Sequence, residues 1–280
     1  MGKFFLYNGK AYTEQTPVIS ANNRGLRYGD GLFETMKMKN SQLQFADEHF
    51  SRLWNGMQLL QFGIPKHFTT DVLLNQIKII AEKNDCLQSA RIRLSVFRGE
   101  GGLYDAVNHF PNYIIEAWPL LAEHDQWNSN GLIMGIYNEA KKSCDLLSNL
   151  KHNNYLPSVM AALHAKKEKW NDAIILNSFN RVCESTIANI FLIKDKVIYT
   201  PALSEGCVAG VMRKFILEKL KTLEFKVEEK EIDVTFLLDA DEVFLTNSIN
   251  NIRWVQQINN TKYNNTLTQK IYVDVISTIL

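Results

Sequence analysis

The chain has 280 residues, 46% hydrophobic and 22% charged, enough for one large or two smaller cores and unlike the composition of disordered or collagen-like proteins. Lys and Arg number 31 against 30 Asp and Glu, a formal charge of +1, which excludes the strong field that gathers nucleic acid or an acidic membrane surface. Cys86, Cys144, Cys183 and Cys207 lie far apart, so neither a zinc motif nor a disulfide framework is signalled.

The opening MGKFFLYNGK is too short in its apolar run for a signal-peptide core and reads as a first strand over Lys3–Tyr7. A second strand is predicted at Leu32–Lys37, then a helix from about Asp47 to Gln61. Phe50, Leu53, Trp54, Met57 and Leu60 form its apolar face, with Asp47 placed to cap it and Gly63-Ile64-Pro65 to stop it. A helix over Thr70–Lys83 precedes the strand Arg91–Phe97, the glycine-rich turn after Arg98, and the strand Tyr113–Trp118. The polar stretch 119–130 reads as a linker between a domain at 1–118 and one at 131–280. In the second domain, strands are predicted at Leu132–Asn138, Ala173–Asn177, Ile190–Lys194 and Glu242–Thr246, and helices at about Asn153–Lys169 and Val211–Leu223. No segment has the run of about 18 uncharged apolar residues of a membrane span, so a cytoplasmic protein is expected.

Three places carry chemistry. Lys151 stands just before the helix in which Tyr155, Val159, Met160 and Leu163 are spaced to face a core. A lysine at the edge of a core can act as a Schiff-base amine, although a solvated surface lysine is the commoner meaning of such a position. Glu184, in CESTIANIF, is a carboxylate that could hold a pyridine ring nitrogen protonated, or an ordinary turn glutamate. Gly206 and Gly210 lead into the helix at Val211, whose first amides would suit a phosphate. Arg52 could add a charged donor there, or pair with Glu48 one turn away. The six histidines show no metal-like pairing, and no metal is expected.

Taken together these residues resemble the class IV, or fold type IV, pyridoxal-phosphate enzymes, which include branched-chain and D-amino-acid aminotransferases and aminodeoxychorismate lyase. Glu184, Thr186, Asn189, Phe191, Ile198-Tyr199-Thr200, Val208, Gly210, Val211 and Arg213 follow the family signature, and NRGLRYGDGLFETM (23–36), HFSRL (49–53) and FLTNSI (244–249) resemble further segments in the family's order. The resemblance covers essentially the whole chain. It implies a two-domain α/β (α+β) fold, a small N-terminal α+β domain and a larger C-terminal domain with a barrel-like sheet. It implies pyridoxal 5′-phosphate as cofactor, with Lys151 as the Schiff-base lysine and proton shuttle, Glu184 on the ring nitrogen and Arg52 on the phosphate. Val211 and Met212 amides with Thr246 or Asn247 would complete the phosphate cup, and Tyr155 would bond the ring hydroxyl.

Arg98 is the candidate for a substrate carboxylate, being a fork of donors at a glycine-rich turn, or else an exposed loop arginine. Arg24, Arg27, Tyr28 and Glu34 are expected to line the pocket. The expected reaction is amino transfer between an amino acid and a 2-oxo acid, with a homodimer as the assembly. The alternatives are a lyase that releases 4-aminobenzoate and pyruvate from aminodeoxychorismate, and a catalytically silent cofactor-binding or interaction protein.

Overall fold

The computed structural model describes residues 2–279, which fall into two compact units. The first comprises residues up to Ala122 together with Leu150–Asn154, and the second Glu123–Asn149 with Tyr155 onward. The division lies inside the stretch read as a linker. The short segment carrying Lys151 packs with the first unit, because its backbone pairs with a strand there.

In the first unit, β1 (Phe4–Tyr7), β2 (Lys10–Thr13), α1 (Arg24–Tyr28), β3 (Gly31–Lys39), β4 (Gln42–Leu43), α2 (Ala46–Leu59), α3 (Thr70–Lys83), β5 (Ser89–Arg98) and β6 (Pro111–Pro119) follow one another. The strands form one sheet in the order β2-β1-β6-β5-β3-β4. Side chains alternate between its faces. Leu32, Met36 and Met38 of β3 join Ile92, Leu94 and Val96 of β5 in a core closed by Phe50, Leu53 and Met57 of α2 and by Leu73, Ile77 and Ile80 of α3. The helical spacing of those six residues is what turns both helices onto the sheet. Thr69 caps α3 by accepting from the Val72 amide. Asp47 does not cap α2: that helix starts after Phe45 in a left-handed conformation without a side-chain cap, and Asp47 with Glu48 lies in its first turn.

The second unit contains β7 (Leu132–Lys142), α4 (Leu156–Lys167), β8 (Asp172–Asn177), β9 (Val182–Ser185), β10 (Asn189–Lys194), β11 (Val197–Pro201), α5 (Val211–Thr222), β12 (Val227–Lys230), α6 (Val234–Leu238), β13 (Glu242–Asn247), β14 (Asn251–Ile258), β15 (Thr261–Lys262) and α7 (Thr266–Ile271). Its main sheet has the order β12-β11-β10-β13-β14-β7-β8-β9, with β15 on β14. The sheet curls into a half-barrel around Met134, Ile174, Ile190, Leu192, Val243 and Leu245. The β7–β8 and β11–β12 pairs are parallel, which requires crossover connections, and α4 and α5 supply them.

The helix after Lys151 differs from its reading in sequence. Asn153 donates to the Gly31 carbonyl and is drawn into strand pairing, so α4 begins at Leu156. Its inward side is Ser158, Ala161 and Ala165, whereas Val159, Met160 and Leu163 are exposed. The helix lies close on the sheet through small residues, and its large apolar residues point outward.

Candidate active site

Lys151 sits in the first unit as a short annex to β3. Its carbonyl accepts from the Phe33 amide at 2.9 Å, His152 bridges antiparallel to Leu32, and its Nζ lies 4.5 Å from the centroid of the Phe33 ring. The Arg93 guanidinium lies 3.9 Å from the same centroid. Phe33 and Arg93 share a sheet face, since Phe33 pairs with Ser95 and Thr35 with Arg93. Lys151 and Arg93 therefore bring two cations onto one ring. Sequence reading passed over Arg93, which lies inside an alternating strand and looks like an ordinary polar position there. The period of two that places it on the face of Phe33 is the signal that could have found it.

On the opposite face of β3, Glu34 is buried against α2. Both of its oxygens accept from Arg52, through Nε at 2.8 Å and through Nη2, and Oε2 also meets His49 Nδ1 at 2.7 Å. Burial alone raises a carboxyl pKa, but the Arg52 charge and the His49 and Arg52 hydrogen bonds outweigh it and bring Glu34 down to about 2. Arg52 is thus paired with Glu34, and the two-point contact fixes the plane of its guanidinium. Glu34, expected to line a substrate pocket, is the anchor of that arginine.

Arg98 is also placed differently from its expected use. It is buried, donates to Asp30 from Nε and to the carbonyls of Gln61 and Leu60 from its terminal nitrogens, and lies 4.4 Å from the Phe62 ring centroid. A guanidinium spent on these partners holds loops together and has no fork left for a substrate. Arg24 does similar work, binding Asp30 and the carbonyls of Gly101 and Tyr104. Tyr28 is half-buried, with Arg24 5.1 Å from its ring centroid and the Tyr104 ring 5.6 Å away.

In the second unit Glu184 is carried by β9, one arm of the hairpin that turns between Ser185 and Ala188. The carboxylate is buried. Its Oε2 accepts from the Val208 amide at 2.8 Å, and its Oε1 meets the Lys142 ammonium. Burial lowers the Lys142 pKa, but the Glu184 charge more than reverses this, pushing Lys142 up; Tyr155 adds to the rise. Lys142 was not singled out in the sequence, where it is one of two adjacent lysines at the end of a strand.

The start of α5 is held by a pinned loop. Asn149 donates to the carbonyls of Leu203 and Cys207, and Asn189 donates to that of Val208. Gly206 turns the loop at φ +83°, a conformation that favours glycine. Gly210 is required for space, because a Cβ there would lie 2.0 Å from Asn189 Oδ1. No side chain caps α5, so the first amides, at Val211 and Met212, keep the anion-binding character of a helix N-terminus. Thr246 stands opposite Asn189 in the β10–β13 ladder, and its buried Oγ1 has no partner within the described residues. Asn247 instead closes the turn that follows, accepting from the amides of Ile249 and Asn250. Thr246 and Asn247 both border a cleft of about 410 Å³ that also reaches Asp172 and Arg253.

The first unit thus offers an amine at Lys151, and the second a buried carboxylate, an uncapped helix start and a buried hydroxyl without a partner among the described residues. The model of the amino-transferase class IV family matches residues 31–258, and the chain belongs to that family, whose cofactor is pyridoxal 5′-phosphate. It is 32% identical to an aminodeoxychorismate lyase of Vibrio harveyi, over 88% of each chain. It is 30% identical to a putative branched-chain-amino-acid aminotransferase of Methanocaldococcus jannaschii, over 92% of this chain and 88% of the other. The fold matches that of a branched-chain aminotransferase from Thermoproteus uzoniensis with a TM-score of 0.88 at 22% identity, over 99% and 93% of the two chains. No helix among the described residues is long and apolar enough to cross a membrane, and no group of metal-ligating side chains occurs among them.

Proposed function

We propose that the chain eliminates pyruvate from aminodeoxychorismate, releasing 4-aminobenzoate, with Lys151 as the catalytic amine. The observation that carries this reading is the 32% identity to the Vibrio harveyi lyase, which spans nearly all of both proteins. When bound, pyridoxal phosphate supplies an electron sink for a carbon that bears an amino group. Lys151 would hold the cofactor's aldehyde, Arg52 and the Val211 and Met212 amides with Thr246 its phosphate, Glu184 its ring nitrogen, and Tyr155 its hydroxyl.

With the cofactor and substrate bound, the Lys151 amine would take the proton from the ring carbon that carries the amino group. The bond from the neighbouring carbon to the enolpyruvyl oxygen breaks, a proton goes to the departing enol, and pyruvate leaves an aromatic amine. Arg93 binds a substrate carboxylate, a role supported by its contact with the Phe33 ring that Lys151 also meets.

A second reading, amino transfer between an amino acid and a 2-oxo acid, is favoured by the 30% identity to the Methanocaldococcus protein and uses the same lysine to return the proton elsewhere. Supplying the holoenzyme with aminodeoxychorismate in one reaction, and with L- and D-amino acids plus 2-oxoglutarate in another, separates the two. Release of 4-aminobenzoate is expected; glutamate formation without it overturns the lyase in favour of the transferase. Lys151→Ala should lose the borohydride-fixed cofactor, and cofactor still fixed to that variant would overturn the assignment of the lysine. Arg93→Met should raise KM for the carboxylate substrate by roughly 10–100-fold, the loss of one charge-assisted contact.

A further inference from the structure

Glu184 receives two donors from its own chain, the Val208 amide on one oxygen and the Lys142 ammonium on the other. The lysine reaches it from the last residue of β7, across β8, whose Asn177 pairs with Lys142 and whose Ile175 pairs with Glu184. Both side chains are largely buried, at 14% and 6% exposure. A lysine taken this far from water needs a purpose that a neutral residue would not serve, since a buried pair is often no more stable than apolar side chains in the same space.

The other titratable neighbours do not supply that charge. Burial and the Glu184 charge push the thiols of Cys183 and Cys207 up, so both stay neutral. Arg213, which also acts on Cys207, is committed to Glu229 and the Pro201 carbonyl. Tyr155 acts on Lys142, adding to its rise.

We propose that Lys142 is a positioning residue that shares the Glu184 carboxylate with the cofactor's ring nitrogen and thereby weakens the carboxylate's hold on the ring proton. The inference rests on the reading of Glu184 as the partner of that nitrogen. A cation on the far oxygen withdraws charge from the carboxylate, and a less basic carboxylate stabilises a protonated ring less. The ring is then a weaker electron sink than a lone buried glutamate would make it. A reaction that ends in an aromatic product tolerates this, because aromatisation itself drives the bond cleavage.

The test is the ¹⁵N NMR signal of the enzyme reconstituted with cofactor labelled at the ring nitrogen. Relative to the wild type, Lys142→Met and Lys142→Gln are expected to move the signal toward the protonated ring, and Lys142→Arg, which restores the charge, to leave it near the wild-type position. Glu184→Gln should move it the opposite way. An unmoved signal in both neutral Lys142 variants, with Glu184→Gln still shifting it, overturns the role of Lys142 alone. An unmoved signal in Glu184→Gln overturns the reading of Glu184 on which the inference stands. Lys142→Gln keeps a donor of similar reach, so the comparison survives if Lys142→Met fails to fold.

Discussion

A carboxylate as deeply buried as Glu34 persists because the Arg52 charge and the His49 and Arg52 hydrogen bonds favour its charged form, bringing its pKa down to about 2 against the effect of burial. The shift from an ordinary value of 4.5 corresponds to about 3 kcal/mol of stability. Because the folded pKa lies below the unfolded one, that contribution is complete above about pH 4.5 and is lost as pH falls toward about 2. Glu34→Gln is therefore expected to lower the unfolding free energy by about 3 kcal/mol at neutral pH. Urea melts repeated at descending pH should show the gap to the wild type closing as the wild-type carboxyl takes up its proton. A gap unchanged in acid would mean that the cost is one of packing. At this scale the motif containing Glu34 was readable, but its role was not: the partners Arg52 and His49 stand on a helix that only folding lays over β3.

Between β10 and α5 the decisive contact is steric. Gly210 approaches Asn189 so closely that even a methyl group overlaps the amide oxygen, and Asn189 cannot retreat without giving up its bond to the Val208 carbonyl. Gly210→Ala is expected to displace the start of α5, costing about 1–3 kcal/mol and weakening cofactor affinity by about tenfold, read by fluorescence titration of the apoprotein. Asn189→Ala in the same chain should restore part of the affinity by removing the obstacle. The glycine and the helix start were legible as local signals, and α3 and α5 match their apolar spacing closely. The side of α4 that is buried was not legible, because periodicity marks an apolar stripe without saying what covers it. Ala161 and Ala165 let that helix approach the sheet more closely than Val159, Met160 and Leu163 would.

For the molecule as a whole, an apolar stripe of Leu156, Val159, Met160 and Leu163, exposed by 46–75%, is more than single surface residues ordinarily require. The family resemblance leads us to expect a homodimer, and burial of this stripe between copies would account for its composition. Met160→Glu combined with Leu163→Glu is expected to reduce the assembly to monomers in size-exclusion chromatography with light scattering. An unchanged dimer would place the contact elsewhere.

From the order of residues alone came the family, the identity of the cofactor, and Lys151, Glu184 and Arg52 as the groups worth following, since each lies in a motif whose spacing is local. Folding alone settled who neighbours whom. It bound Arg52 to Glu34, spent Arg98 on loops, set Arg93 and Lys151 each against the Phe33 ring, and put Lys142 on Glu184. Strand pairing and helix packing create such contacts between residues tens of positions apart, and the strength of a charge in a protein depends on those neighbours and on the water they exclude.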